Sequence, residues 1–100
     1  MDKLINQIQN KTEKIFTANG ITYAAVFGSF AKGESNSDSD IDILFDYDHS
    51  KSFSMFKMLE VKDQLEKVLN YKVDFVPING IKASIIKEIS DTSVTIYGQK

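Results

Sequence analysis

Hydrophobic periodicity along this chain predicts an α+β fold, a mixed β-sheet flanked by helices in the order α-β-α-β-α-β-α-β. Apolar residues recur at helical spacing in segments 2–18, 52–70 and 81–90, while short runs rich in β-formers stand at 21–27, 40–47, 71–76 and 93–98. Helical and strand segments alternate instead of segregating, which favours helices packed on a common sheet. A chain of 100 residues supports one modest core. No repeat, low-complexity stretch or linker interrupts it, so residues 1–100 read as a single domain.

The elements follow in order. Leu4, Ile5, Ile8, Ile15 and Phe16 mark one side of the first helix, and Asn19-Gly20 supplies its stop. "ITYAAVF" is a short apolar strand that runs directly into Gly28. Residues 29–33 form a short helix by expectation, with Ser29 placed as its cap, and "ESNSDS" at 34–39 has loop chemistry. "DIDILFDY" is the second strand. The longest helix, 52–70, carries Phe56, Leu59, Leu65, Val68 and Leu69 along one expected side. "YKVDFV" is the third strand, ended by Pro77-Ile78-Asn79-Gly80, and a helix over 81–90 leads to the closing strand "SVTIYG".

Composition narrows the function. Net charge is −2 with lysines scattered among acids, whereas a nucleic-acid backbone is bound by clustered positive charge. Extended nucleic acid is therefore disfavoured as a partner; a single nucleotide held through a metal ion is not. There is no cysteine, so disulfides and thiolate metal sites are excluded, in keeping with a reducing, cytoplasmic setting. The N-terminal "MDKLINQIQN" is polar from its second residue, and no signal peptide, membrane span or membrane partner is expected.

The chemistry concentrates in "GSFAKGESNSDSDIDILFD", residues 28–46. Alternate side chains of a strand share a face, roughly 6–7 Å apart along the backbone. Asp40 and Asp42 thus project together while Ile41, Ile43 and Phe45 point the other way. Neighbouring carboxylates repel and resist ionisation; a divalent cation between them reverses that cost, and hard oxygen ligands suit Mg²⁺. Asp74, in "KVDFV", completes a cluster of three if the strand over 71–76 lies beside the one over 40–47. Three acids can hold two metal ions about 3.5–4 Å apart, an arrangement used for in-line nucleotidyl transfer. The alternation alone describes a half-exposed strand equally well, the more so because Asp38 and Asp46 share its parity. An EF-hand loop from Asp38 is excluded, since Ile43 stands where glycine is required and His49 where glutamate is.

Gly28-Ser29 is a strand–glycine–helix junction of the kind that offers backbone N–H groups and a helix dipole to phosphate. A plain turn with an N-cap explains the pair as well. "GSFAKGES" is not a P-loop, because Glu34 occupies the place of the lysine that reaches the outer phosphates.

Gly28-Ser29, a ten-residue spacer and Asp40-Ile41-Asp42 together resemble the signature of the DNA polymerase β-like nucleotidyltransferase superfamily. The wider run "GSFAKGESNSDSDIDILF", with "VDFV" and "VTIYG" further on, is similar in particular to minimal nucleotidyltransferases, the antitoxin halves of HEPN–MNT toxin–antitoxin pairs. The resemblance extends over nearly the whole chain and implies the nucleotidyltransferase fold. It implies that Gly28 and Ser29 hold the triphosphate of ATP, that Asp40 and Asp42 ligate two Mg²⁺ ions, and that Asp74 ligates the second ion and helps deprotonate the attacking hydroxyl. Lys32 stands where arginine is more usual, keeping charge for the phosphates without a bidentate grip. His49 reads as a loop residue, and the phenylalanines and methionines of 53–59 as core and interface. In this family the partner is a HEPN-domain toxin, and AMP passes from ATP to a tyrosine hydroxyl on it. With 100 residues offering no room for a separate acceptor-binding domain, the acceptor is expected on such a partner. Two other readings stand beside it: an antitoxin acting by contact alone, and a nucleotidyltransferase for a small-molecule hydroxyl working with a separate helical subunit.

Overall fold

The computed structural model describes residues 2–28, 31 and 40–98. Helix α1 spans Asp2–Ala18, strand β1 Ile21–Phe27 and strand β2 Ile41–Tyr47; α2 follows at Met55–Leu69 and β3 at Val73–Pro77. A single 3₁₀ turn, Ile78–Gly80, leads to α3 at Ala83–Thr92 and β4 at Val94–Gly98. Of the short helix expected over 29–33 only Ala31 lies within the described residues, helical in backbone and buried. The loop expected over 34–39 lies outside them.

The four strands form one mixed sheet in the order β3-β2-β1-β4. β1 is antiparallel to both β2 and β4, while β2 and β3 run parallel. Parallel neighbours need a long crossover, and α2 supplies it. Ile21, Ala24 and Val26 of β1, Ile41, Ile43 and Phe45 of β2, Val73 and Phe75 of β3 and Ile96 of β4 make one apolar face. Ile5, Ile8 and Phe16 of α1 and Val61, Leu65 and Leu69 of α2 close over it. At its centre the rings of Phe45 and Phe75 stack 3.8 Å apart, 9° from parallel. A register shift between Ala24 and Ala25 in the β1–β4 pairing lets Tyr97, the neighbour of core residue Ile96, also pack on Phe16, their ring centroids 5.4 Å apart. Tyr23, Ala25 and Leu44 are buried outside this cluster, on the opposite face by strand parity.

Two boundaries differ from expectation. Helix α2 begins at Met55 because the Ser54 side chain caps it, accepting from the N–H of Lys57 at 3.2 Å; this frees Phe53 to stack on Tyr47, 4.7 Å between centroids. It ends at Leu69, with Asn70 left-handed at φ 59°. Its buried stripe is also narrower than expected. Val61, Leu65 and Leu69 face the core, whereas Phe56 is 85% exposed, Leu59 51% and Val68 40%. At 100° per residue, Leu59 and Phe56 lie about 160° and 140° around the helix from Val61, and Val68 sits at the stripe's edge.

Candidate active site

β2 occupies an interior position in the sheet, with β1 on one side and β3 on the other, and the candidate residues meet across these three strands. Asp42 is the register partner of Asp74 on β3 and of Phe27 on β1, so Gly28 comes directly beside it. In parallel register, paired residues project from the same face. The expected adjacency of the two carboxylate strands is therefore present, on the face turned away from the main core. Asp40 immediately precedes β2 and is exposed, as is Asp74; Asp42 is half-buried.

Electrostatics couple the three through mutual repulsion. The Asp42 carboxyl is held above its ordinary value of 3.8 by burial first, then by the negative charge of Asp74, then by that of Asp40. Each of the other two acids is thus near enough to oppose ionisation of the central one, which is the circumstance a divalent cation relieves. The donor set fits such an ion in chemistry: carboxylate oxygens only, with no sulfur. Among the described residues no three His, Cys, Asp or Glu side chains are already gathered at coordinating distance around one point.

Gly28 has a structural reason to be glycine. Its φ is +72°, and a Cβ built there would run into the Asp42 carboxylate. The chain therefore passes the acid closely, leaving no room for a side chain between them. Ser29 and Lys32, the other expected nucleotide-binding residues, lie outside the described residues, as does Asp38.

Backbone anchoring at the carboxylate end was not legible in the sequence. The N–H of Ile41 donates to the carbonyl of Lys72 at 2.9 Å, the bond that opens the β2–β3 ladder at its first pair, Ile41 with Val73. On the outer edge of β3, the N–H of Val73 donates to the Glu66 carboxylate of α2 at 2.9 Å, and Glu66 also meets Lys62 at 3.5 Å. Glu66 reads in sequence as one more charged residue on a helix; only the crossover geometry brings it to the strand. His49 stands in the turn after β2, its Nε2 2.8 Å from Asp46 Oδ1 and its ring 4.4 Å from that of Tyr47. A cavity of about 230 Å³ lies toward the other end of β2, lined by Phe45, Tyr47, Phe53, Met55, Met58 and Pro77 among others. It is apolar and removed from the acids.

A glycine-ended strand passes a half-buried aspartate, with a second carboxylate in register on the parallel neighbour, which is the arrangement that the resemblance to nucleotidyltransferases implied. The chain belongs to the polymerase β nucleotidyltransferase family: the family's model, described as Polymerase beta, Nucleotidyltransferase, matches residues 10–100. Among its relatives, the protein adenylyltransferase MntA of Thermococcus cleftensis is 37% identical over 70 residues, covering 70% of this chain and 69% of its own. A Methanocaldococcus jannaschii protein provisionally named protein adenylyltransferase MJ0435 is 34% identical over 92 residues, 92% of this chain and 97% of its own. The fold is shared with a toxin–antitoxin complex crystallised with AMP-PNP (TM-score 0.77, 21% identity, 92% of this chain and 74% of that one). It is shared too with a complex of a tri-AMPylated Shewanella oneidensis HEPN toxin and an MNT antitoxin (TM-score 0.71, 18% identity, 95% and 73%).

Proposed function

We propose that this protein is an antitoxin that transfers AMP from ATP to a hydroxyl of a partner HEPN-domain toxin, a tyrosine hydroxyl in the leading case, and so neutralises it. The observation that carries the reading is the register pairing of Asp42 with Asp74 beside Gly28. It is supported by relatives that bear the name protein adenylyltransferase and by a fold shared with chains of toxin–antitoxin complexes. The exposed Met55 and Phe56, 71% and 85% accessible, give a protein partner apolar surface to cover.

In this reading Asp40, Asp42 and Asp74 would hold two Mg²⁺ ions, which would supply charge neutralisation for the phosphates. Gly28 lets the backbone approach the outer phosphates, and Ser29 and Lys32 complete that grip. The acceptor oxygen forms a bond to the α-phosphorus as the bond from phosphorus to the bridging oxygen breaks. Pyrophosphate leaves with the electron pair, and the acceptor's proton passes to Asp74. Exposure of Asp74, on the β3 side of the cluster, suits it to meet an acceptor arriving from solvent.

The test is transfer of label from ATP marked at the α-phosphate to the co-expressed partner toxin. Label on the toxin with the wild type, and none when Asp40 and Asp42 are both replaced by asparagine, is the expected result. Unchanged protection from the toxin by the wild type, with no label transferred, would establish a contact-only antitoxin instead.

A further inference from the structure

Lys72 stands at the carboxylate end of the sheet without a role in the reading above. Its carbonyl accepts from the N–H of Ile41 at 2.9 Å, the regular ladder bond for a pairing that begins Ile41↔Val73 and continues Asp42↔Asp74. One step back along both strands, Lys72 therefore flanks Asp40, and its parity is that of Asp74, so all four residues project from one face. It is exposed, and among the described residues it forms no ion pair. An exposed lysine whose backbone stands beside Asp40 and next but one to Asp74, and which pairs with no acid among the described residues, is available to an anion that binds above them.

Reach and position say which anion. Lysine's ammonium lies two bonds further from its Cα than an aspartate's oxygens do, so it overtops the acids and meets what sits on them. Gly28 and Lys72 flank β2 from opposite sides, their backbones about two strand spacings or roughly 10 Å apart, so a triphosphate gripped at Gly28 extends across β2 toward Lys72. With the outer phosphates on the Gly28 side, the β3 side belongs to the α-phosphate and the incoming acceptor.

We infer that Lys72 is a further catalytic residue, contacting the non-bridging oxygens of the nucleotide's α-phosphate on the side from which the acceptor attacks. The inference rests on the nucleotidyl-transfer reading. As the acceptor oxygen bonds to phosphorus and pyrophosphate departs with the electron pair of the broken bond, those oxygens remain charged, and Lys72 is the adjacent cation throughout.

The experiment measures binding of α,β-methylene-ATP with Mg²⁺ by titration calorimetry to the wild type, Lys72→Met and Lys72→Arg, beside inorganic pyrophosphate as a second ligand. Thermal unfolding confirms that each variant is folded, as an exposed site leads one to expect. Lys72→Met is expected to weaken the nucleotide analogue about tenfold, the scale of one charge-assisted hydrogen bond, without weakening pyrophosphate; Lys72→Arg should stay within about twofold of the wild type, since the charge is kept. Equal affinity of Lys72→Met and wild type for the analogue overturns the inference, as does an equal fall for pyrophosphate, which would place the lysine on the outer phosphates. Failure of the wild type itself to bind the analogue would instead overturn the nucleotidyl-transfer reading beneath it.

Discussion

At the scale of single residues, Asp42 carries two opposed duties. Burial and the charges of Asp74 and Asp40 hold its carboxyl above 3.8 in the folded chain, so the fold binds that proton more tightly than the unfolded chain does. Between 3.8 and the raised value the native state holds more protons. Metal-free stability from this group therefore falls as pH rises through that window, and the penalty is fully developed above it. Asp42→Asn removes the charge and is expected to raise the metal-free melting temperature at neutral pH by a few degrees, to flatten this pH slope, and to lower AMP transfer by at least about a hundredfold. Thermal melts with and without Mg²⁺ check the first part, since Mg²⁺ should stabilise the wild type and leave the variant unmoved. Gly28→Ala is a second test at this scale. The left-handed backbone costs about 1–2 kcal/mol with a Cβ, and the new methyl must displace the Asp42 carboxylate. Transfer should fall further than the loss of stability accounts for, read as rate per folded molecule. Gly98→Ala is the control: its φ is +68° and its Cβ would strike the Thr22 carbonyl, remote from the acids, so stability falls without a matching loss of rate.

Among elements, α2 decides where β3 lies and hence where Asp74 lies. Its N-cap at Ser54 and left-handed stop at Asn70 bound it on both sides, and Glu66 fastens its last turns to the start of β3 through the Val73 N–H. Glu66→Ala leaves that N–H without its partner and is expected to cost about 1–2 kcal/mol. It should also speed amide exchange at Val73 and lower transfer several-fold; hydrogen exchange read residue by residue checks it. The strands were legible in the sequence because period-two alternation with β-branched and aromatic residues survives any packing arrangement. The face of α2 was less so. Phe56, Leu59 and Val68 have the chemistry of core residues, but which arc of a helix is covered depends on what crosses it, and that is tertiary information. Ser52 and Phe53 fit a helical pattern too, and were drawn out of it by the stack with Tyr47 and by the stronger cap at Ser54.

For the whole molecule, the sheet order β3-β2-β1-β4 places the strands bearing Asp42, Asp74 and Gly28 side by side and sets β4 on the far edge. Spacing alone left the aspartates readable as a half-exposed strand and Gly28-Ser29 as a plain turn; the motif became legible through the resemblance of the whole set, Gly28-Ser29, the ten-residue spacer and Asp40-Ile41-Asp42, to a family signature. The pairing of β2 with β3 was a condition that spacing could not supply; the parallel register supplies it. No helix among the described residues is long and apolar enough to cross a membrane. Phe45, stacked on Phe75 and fully buried, ties the two carboxylate strands from the core side. Phe45→Ala is expected to cost about 3–5 kcal/mol, measured by urea unfolding.

The parallel joint between β2 and β3 has a kinetic corollary. Antiparallel β1 and β2 can zip without regard to the acids, but docking β3 closes the long loop through α2 and in the same event drives Asp74 against Asp40 and Asp42. Like charges that repel in the finished sheet repel on the way to it. Millimolar Mg²⁺ should therefore hasten refolding several-fold in stopped-flow tyrosine fluorescence, while Asp42→Asn refolds at one pace whether the ion is present or not.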